Sequence, residues 1–459
     1  MKTRKLIAGV TAAALFTTAN AQNPVVQTWF TTDPAPMVHD GTMYIYTGHD
    51  EDGADFFWMN EWRTYSSQDM VNWRDHGTQM DFGTFKWSDD RAWAAQTIER
   101  NGKYYWYVCA HSKLSGGMAI GVAVSNSPIG PWHDALGKPI YDDGKWDNID
   151  PTVFIDDDGQ AYLYWGNPIL HYGKLNEDMI SFKGETGIIE FTEEGFGSPS
   201  REKRIKGKQY IDTYVEGPWI HHRKGGKYYM LYAAGGIPEH ISYSESDTPL
   251  GPWKYRGQIM PQEDTKSFTN HCGVASMNGH DYFFYHTGKL PHGGGYGRSV
   301  AIEEFKYNSD GSFPTIHHTD QGVSPIATFN PFRKVEAETM AFSRGIKTQP
   351  LGWNNVYVSD IHNGDWIKLR NVAFNNQEAK AFSVKAASAM RGGTLELRAD
   401  SIKGTLIASI EITKTGGWEK FKKFTTKTVN TPKGIHDIFL VFKGLKGPEL
   451  YTLDWWEMK

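Results

Sequence analysis

Alternating hydrophobic and polar positions recur along this chain in short runs, and many of these runs follow a tight turn. Five runs are rich in aromatic residues, and each begins at a predicted two-residue turn. The second residue of the turn is glycine, and the first is a polar residue or another glycine. Glycine accepts the positive φ that a two-residue hairpin requires, and aromatic side chains fit the pleated surface of a sheet. The turn glycines are Gly41, Gly102, Gly159, Gly226 and Gly279.

The spacing of these hairpins predicts the architecture of the first two thirds of the chain. Successive turn glycines are 61, 57, 67 and 53 residues apart. Five hairpins at near-even spacing are typical of a radial repeat. We therefore predict a five-bladed β-propeller over residues 22–325.

The pattern changes after a short segment that is bracketed by two prolines. Alternating strands continue to the end of the chain, but the hairpin repeat is absent. Regular short strands with turn signals are typical of an antiparallel β-sandwich. We therefore predict a linker over 326–331 and a jelly-roll sandwich over 332–459. No segment of useful length has a helical period, so the predicted fold class is all-β, with a long loop over 181–208.

Residues 1–21 have the pattern of a secretory signal peptide. A basic start is followed by an apolar run and then by small residues up to Ala21. The run is too short to cross a membrane, and no other segment is long and apolar enough. We therefore predict an exported monomer, periplasmic or fully secreted, without membrane insertion. Two cysteines, Cys109 and Cys272, are too few for a disulfide framework.

Charge and aromatic content limit the kinds of partner. The chain carries a net charge of −5, yet residues 332–459 hold 20 Lys and Arg against 13 Asp and Glu. These lysines are scattered between strand positions, which is typical of a solvated surface, so we expect no nucleic-acid partner. Aromatic residues make up 14% of the chain, and their rings suit stacking on flat sugar faces.

Three carboxylates occupy the same place in three repeats. Asp33, Asp150 and Glu216 each stand where a strand begins, upstream of a hairpin turn. The innermost strands of a propeller converge on a central channel, so acids from distant segments meet there. Glycoside hydrolysis needs such carboxylates, one to protonate the leaving oxygen and one to activate water. Each acid alone is also a common turn former, because its oxygens accept backbone hydrogen bonds.

The motifs around these acids resemble glycoside hydrolase family 43 over about residues 24–325. The resemblance implies a five-bladed propeller that removes arabinofuranose or xylose units from plant polysaccharides with inversion. It implies that Asp33 is the general base, that Glu216 is the general acid, and that Asp150 tunes and orients that acid. The motifs are Asp33-Pro-Ala-Pro, Asp150-Pro-Thr-Val-Phe and Glu216-Gly-Pro-Trp.

Four further residues are candidates around these acids. The resemblance places His271 at the propeller centre, often beside a bound calcium ion, and a buried hydrogen-bonded histidine is the alternative. It makes Arg298 an active-site arginine that contacts substrate or an acid, where the alternative is an ordinary surface arginine. Trp93 and Trp165 are candidate sugar platforms, which blade packing would explain equally well.

The last part of the chain resembles a family 6 carbohydrate-binding module. The resemblance implies a structural calcium site formed by Glu336, Glu338 and Asp454, whose carboxylate oxygens suit that ion. The motifs that carry it are Val335-Glu336-Ala-Glu338, Gly364-Asp365-Trp366 and Leu453-Asp454-Trp455.

Such modules bind sugar with an aromatic pair, for which Tyr357 and Trp418 are the candidates. Thr452 stands where an asparagine is usual before the last motif. Two interpretations therefore stay open, a sugar-binding module and a structural partner of the propeller.

The sequence as a whole predicts an exported inverting glycosidase. Its expected activity is that of an α-L-arabinofuranosidase or a β-xylosidase on hemicellulose such as arabinoxylan, with Ca²⁺ as a structural cofactor. The alternative is a non-catalytic glycan-binding propeller, which the complete set of three acids disfavours.

Overall fold

The regular structure of this protein is almost entirely β. The computed structural model describes residues 22–210, 213–223 and 225–459, so the predicted signal peptide lies outside the described residues. Within them, one α-helical turn, α1, spans Glu193–Phe196, and 3₁₀ turns span Phe82–Thr84 and Arg201–Lys203. None of these helices has the length and apolarity that crossing a bilayer requires.

In the described part of the chain, thirty-two strands make up the rest of the regular structure. In chain order, those of the N-terminal part (residues 22–325) are β1 (Thr31–His39), β2 (Thr42–His49), β3 (Glu61–Ser67), β4 (Trp73–Asp81), β5 (Ser88–Asp90), β6 (Ala95–Arg100), β7 (Lys103–Ser112), β8 (Met118–Ser125), β9 (His133–Asp134), β10 (Thr152–Ile155), β11 (Ala161–Trp165), β12 (His171–Leu175), β13 (Gly187–Ile188), β14 (Tyr214–His222), β15 (Tyr228–Ala234), β16 (His240–Ser246), β17 (Lys254–Met260), β18 (Gly273–Met277), β19 (His280–Thr287) and β20 (Ser299–Phe305). Those of the C-terminal part (residues 332–459) are β21 (Lys334–Glu336), β22 (Thr339–Met340), β23 (Phe342–Arg344), β24 (Lys347–Gly352), β25 (Asn355–Ser359), β26 (Trp366–Asn375), β27 (Ala381–Ala387), β28 (Gly392–Ala399), β29 (Leu406–Thr413), β30 (Lys422–Lys427), β31 (Gly434–Lys443) and β32 (Thr452–Met458).

The strands of the N-terminal part form five antiparallel sheets. Four have the orders β1-β2-β3-β4, β10-β11-β12-β13, β14-β15-β16-β17 and β18-β19-β20, and in the fifth β7 pairs with β5, β6 and β8, and β8 with β9. One strand of each sheet contacts a strand of the next sheet. β1 contacts β6, β6 contacts β10, β10 contacts β14, β14 contacts β18, and β18 contacts β1. This closed order of neighbours brings the starts of five strands to one place.

The predicted hairpins are confirmed in all five sheets. Three have two-residue turns in which both residues take positive φ: 40–41, 101–102 and 278–279. The other two have longer connections, because the last pairs of their strands are Ile155 with Ala161 and His222 with Tyr228. The turn chemistry therefore predicts where each strand pair reverses, while the loop length varies.

The predicted long loop over 181–208 is only partly a loop. It contains β13, α1 and one of the 3₁₀ turns. Phe191 and Phe196 are buried and pack on each other, with ring centroids 4.7 Å apart, and Phe191 also packs on Tyr214 at 4.9 Å. These aromatic contacts fix a segment whose sequence shows no periodicity.

The C-terminal part contains two sheets that share one apolar core. One has the order β24-β25-β32-β27-β30, with β21 also on β32, and the other has the order β23-β26-β31-β28-β29. Side chains from both sheets, such as Trp456 and Val384 from one and Leu440 and Leu395 from the other, are fully buried in the same cluster.

The two parts of the chain are joined by more than a linker. Within the predicted linker, Ile326 N–H donates to Asp69 O, and Phe329 N–H donates to Asn371 O. The two-residue strand β22 pairs with β4 and so becomes the outermost strand of the first sheet. The segment after residue 325 is thus hydrogen-bonded to both parts.

Candidate active site

Two of the three predicted acids are aimed by an unusual backbone conformation. Asp33 has φ 50° and Asp150 has φ 57°, in the left-handed region that Asp tolerates better than most residues. The register of β1 shifts between Thr32 and Ala35, and that of β14 shifts on both sides of Glu216. Such irregularities re-aim a side chain next to a strand. All three carboxylates reach the same cavity.

That cavity is the centre of the candidate site. Its volume is about 310 Å³, and acids, a histidine and an arginine share its lining with aromatic rings. The residues that line it are Asp33, Phe56, Phe57, Met59, Trp93, Ala94, Trp146, Ile149, Asp150, Asn167, Glu216, His271 and Arg298.

His271 lies between the three acids. Its Nδ1 is 3.4 Å from Asp33 Oδ1, and its Nε2 is 3.3 Å from Glu216 Oε1 and 3.8 Å from Asp150 Oδ2. Burial lowers the pKa of His271, but the three carboxylates outweigh burial and raise that pKa to about 10. The imidazole is therefore a cation that holds three acids from different sheets.

Asp33 is held in its ionised form. Arg298 Nη1 lies 3.3 Å from Asp33 Oδ1, and the Thr32 hydroxyl donates to the same oxygen at 2.9 Å. Burial raises the pKa of Asp33, but the charges of Arg298 and His271 outweigh it and hold that pKa well below its ordinary value. Arg298 in turn makes charge-assisted hydrogen bonds to both oxygens of buried Asp50, at 2.8 and 2.9 Å.

The other two acids differ in protonation. Burial is the main cause that raises the pKa of Asp150 to about 7, where His271 opposes it and the charge of Glu216 adds to it. Burial acts on Glu216 too, but hydrogen bonds from His271 and Asn167 outweigh it and lower the pKa of Glu216. Of this pair, Asp150 is therefore the residue that keeps a proton to higher pH. Glu216 is more accessible, with 18% of its side chain exposed against 6% for Asp150.

Comparison with known proteins gives the family. Residues 21–313 match Glycosyl hydrolases family 43, and residues 336–459 match Carbohydrate binding module (family 6). The chain belongs to glycosyl hydrolase family 43. The predicted resemblance is therefore confirmed, and so is the glycosidase class, which the family itself denotes.

Relatives match this family 43 enzyme over nearly its whole length. The arabinoxylan arabinofuranohydrolase of Paenibacillus polymyxa is 31% identical over 95% of this chain and 74% of its own length. That of Bacillus subtilis (strain 168) is 31% identical over 95% of this chain and 92% of its own length. A crystal structure of a family 43 arabinoxylan arabinofuranohydrolase from Bacillus subtilis in complex with cellotetraose has a TM-score of 0.82 at 30% identity. It covers 96% of this chain and 98% of its own.

Three polar residues of the site were not predicted from the sequence. Asp50 begins a turn-rich acidic segment that looks like a surface loop, yet it is 1% exposed and pairs with Arg298. Asn167 donates to Glu216 Oε2 at 2.6 Å, and Glu239 accepts from the N–H of Asn270, next to His271, at 2.8 Å. No motif marks them, because their partners lie far away in sequence.

Of the two predicted sugar platforms, the structure brings only Trp93 to the cavity. Trp93 lies edge to face with Trp146, at 5.5 Å between ring centroids, and Trp146 is 50% exposed at the cavity wall. For Trp165 the structure favours the alternative, packing within a sheet. Its ring is fully buried and stacks on His171 at 5.4 Å, so no sugar reaches it.

One group of residues at the site has the donors for a cation. Among the residues that the structure describes, Asp150, Glu216 and His271 are the group of three whose ligand atoms lie within 4.8 Å of one another. Calcium prefers oxygen ligands, and a histidine must lose its proton to bind a metal. With its raised pKa, His271 already supplies the positive charge at this point.

Among the residues that the structure describes, the predicted calcium ligands Glu336, Glu338 and Asp454 do not form a group of three ligand atoms within 4.8 Å of one another. Asp454 Oδ2 pairs with Lys385 Nζ at 2.7 Å, whereas Glu338 Oε1 faces Arg74 Nε of the N-terminal part at 3.3 Å. Glu336 and Glu338 nevertheless fit a cation, because each has a buried Oε2 without a hydrogen-bond partner. Burial raises the pKa of Glu338 well above its ordinary value, as expected for a carboxylate without enough counter-charge.

The predicted aromatic pair of the C-terminal part is not an open platform. Tyr357 is only 7% exposed and packs on Phe421 at 5.5 Å between ring centroids. Trp418 is half-buried, and its carbonyl accepts from the Thr452 hydroxyl at 2.6 Å. Tyr357 is therefore mainly a packing residue, and of the pair Trp418 is the more accessible ring.

Proposed function

We propose that this family 43 enzyme releases arabinofuranose from plant hemicellulose such as arabinoxylan, with xylose as the alternative product, by an inverting mechanism. The observation that carries the proposal is the contact of one histidine with three carboxylates in a single cavity. The arabinoxylan arabinofuranohydrolases, which match most of this chain, support the choice of substrate. The signal-like residues 1–21 support export.

The five sheets of the N-terminal part support the five blades of a propeller. Their central strands follow one another in a closed order, which a propeller requires. The two sheets of the C-terminal part, which share one core, support a sandwich. In this arrangement the cavity opens where the central strands begin.

We propose Asp33 as the general base. Its low pKa keeps it ionised at every working pH, as a group that accepts a proton from water must be. Arg298 and Thr32 fix one of its oxygens, and this leaves the other oxygen to orient the attacking water.

We propose Glu216 as the general acid and Asp150 as its proton partner. The raised pKa of Asp150 keeps a proton on this pair near neutral pH. The ligand atoms of the two residues lie within 4.8 Å, and Glu216 is the member more exposed to the cavity. Substrate binding excludes water from Glu216, which favours its neutral form and transfer of the proton to it. Glu216 then protonates the leaving oxygen.

The separation of acid and base favours inversion. Asp33 and Glu216 contact opposite nitrogens of the same imidazole ring, so the ring holds them apart. Inverting enzymes keep their two carboxyl groups roughly 6.5–9.5 Å apart to leave room for water, and a retaining pair is closer at about 5–5.5 Å. The bridging ring suits the wider spacing.

Proton NMR of the reaction with arabinoxylan tests the proposal. We expect arabinose whose first-formed anomer is inverted, and a loss of turnover of at least 100-fold in the Glu216→Gln variant, which cannot donate the proton. Release of xylose with an inverted anomer would change the assigned substrate and leave the assigned mechanism unchanged. A retained anomer, or wild-type turnover in Glu216→Gln, would refute the assigned roles.

A further inference from the structure

A buried polar network runs from the C-terminal part toward the catalytic cavity. It starts at Thr348 on β24, whose side chain is fully buried. The Thr348 hydroxyl donates to Asp75 Oδ2 at 2.7 Å and accepts from Trp29 Nε1 at 2.7 Å. One side chain of the C-terminal part therefore binds a buried carboxylate and a half-buried indole N–H of the N-terminal part, and losing these hydrogen bonds would be costly.

The partners of Thr348 continue the network. Asp75 forms an ion pair with Arg63 at 3.2 Å, and the Arg63 guanidinium lies 4.7 Å from the ring centre of Trp29. The Trp29 ring meets the ring of His49 edge to face at 5.1 Å. His49 directly precedes Asp50, which holds Arg298 and, through it, Asp33.

A second residue of β24 contacts the same segment. Lys347 Nζ lies 3.1 Å from Asp52 Oδ2 and 4.9 Å from the ring centre of Trp29. Asp52 is two residues beyond Asp50, on the segment that leads to the cavity-lining residue Phe57. β24 therefore holds this segment directly at Asp52 and, through Trp29, at His49.

We propose that Thr348 and Lys347 are positioning residues for the hydrolytic reaction. They fix the segment around Asp50, so that Asp50 holds Arg298 and Arg298 holds the carboxylate of Asp33. The proposal rests on the proposed role of Asp33 as the base. Neither β24 residue lines the cavity, so both act through other residues. A small misplacement of a reacting group is enough to slow the reaction strongly.

Kinetics of full-length variants test this proposal. Thr348→Val keeps the shape of the side chain and removes the hydroxyl, and Lys347→Met keeps the apolar stem and removes the charge. With an aryl α-L-arabinofuranoside as substrate, we expect kcat to fall about tenfold in Thr348→Val and less in Lys347→Met, with KM within about twofold, because the base is misplaced and sugar contacts remain. Thr348→Ser retains the hydroxyl, so its kcat should be close to that of the wild-type protein.

A matched control lies on the same hairpin. Asn354 donates to Ile129 O at 2.6 Å and accepts from Gln79 at 2.8 Å, so it also joins the two parts, but away from Asp50. We expect Asn354→Ala to lower the thermal midpoint and to leave kcat unchanged. Equal losses of kcat in Asn354→Ala and Thr348→Val would overturn the proposal, because a general weakening of the contact between the two parts would then explain both losses.

Two outcomes separate this proposal from the proposed function. Wild-type kcat in both Thr348→Val and Lys347→Met, beside an inactive Asp33→Asn, would overturn only the positioning role. An active Asp33→Asn would overturn the assignment of the base, and the positioning role with it. If Thr348→Val does not fold, the kcat of Lys347→Met tests the positioning role alone. That variant should fold, because the lysine is 31% exposed and its replacement leaves no buried gap.

Discussion

The charge on His271 is set by its three acidic neighbours. Because its pKa in the folded protein is raised to about 10 from an ordinary value of about 6.5, its ionic contacts stabilise the fold fully below about pH 6.5. That contribution is lost as the pH rises through about 10. At working pH the imidazolium thus does what a bound cation would do, which is to hold three acidic side chains together in one small cavity.

The proton shared by Asp150 and Glu216 predicts how activity depends on pH. We expect kcat/KM to fall as the pH rises through about 7, because the pair then loses its proton. Asp150→Asn should move this alkaline limb to lower pH, because Glu216, whose pKa is lowered, then titrates alone. A pH profile of kcat/KM checks this, with Asp178→Asn as a control at an exposed turn. An unmoved alkaline limb in Asp150→Asn would contradict the shared proton.

At the residue scale, the sequence predicted the charged centre of the site better than its surroundings. Asp33, His271 and Arg298 stand in motifs that a reader can recognise, and the structure brings them together. Trp165 lies on an aromatic strand whose alternation predicts a face of the sheet, but not whether sugar or a neighbouring ring covers it. No motif marks Asp50, because its burial depends on Arg298, which is 248 residues away in the sequence.

Hairpin turns were the most predictable elements. A polar residue and a glycine in left-handed conformations define a two-residue turn, and this chemistry is local to the turn. The two-residue strand β22 could not be predicted, because two residues carry no period. Its place on β4 is decided by tertiary contacts such as that between Arg74 and Glu338.

The segment from β21 to β22 provides a test for calcium. Glu336 and Glu338 each keep a buried oxygen without a partner, so we expect added Ca²⁺ to raise the thermal midpoint. An ion at 100 times its dissociation constant adds about 2.7 kcal/mol to the free energy of unfolding. Calorimetry with Ca²⁺ and with a chelator measures the difference.

Two variants give this calcium test its controls. Glu338→Gln should remove most of the rise in the midpoint, whereas Glu411→Gln, at an exposed position on β29, should keep it. Equal midpoints with Ca²⁺ and with chelator in the wild-type protein would exclude this site.

At the scale of the whole molecule, the C-terminal part completes the N-terminal part. It supplies β22 to the first sheet, and β24 and β25 also pack against β4. The pattern distinguishes the two parts, because the hairpin repeat of the first is absent from the second. Their interface was not predicted, since it is built from single polar pairs such as Thr348 with Asp75, which leave no pattern in either segment.

Removing the C-terminal part should damage the first sheet. In a chain that ends at residue 325, β4 has a free edge with unpaired backbone groups. We expect a lower thermal midpoint and association of the truncated protein, measured by thermal denaturation and light scattering. Full-length Thr339→Pro, which lacks one backbone N–H on β22, should show a milder loss of the same kind. A truncated monomer with the wild-type midpoint would contradict this.

The pairing of β22 with β4 also sets the order in which the chain can finish folding. Arg74 and Glu338 meet across 264 residues of sequence, so a growing chain exposes the edge of its first sheet until most of it has been made. Contacts of such long range form late and slowly, and an open strand edge invites aggregation in the meantime. We therefore expect synthesis that stops early to leave an intermediate that is prone to aggregation.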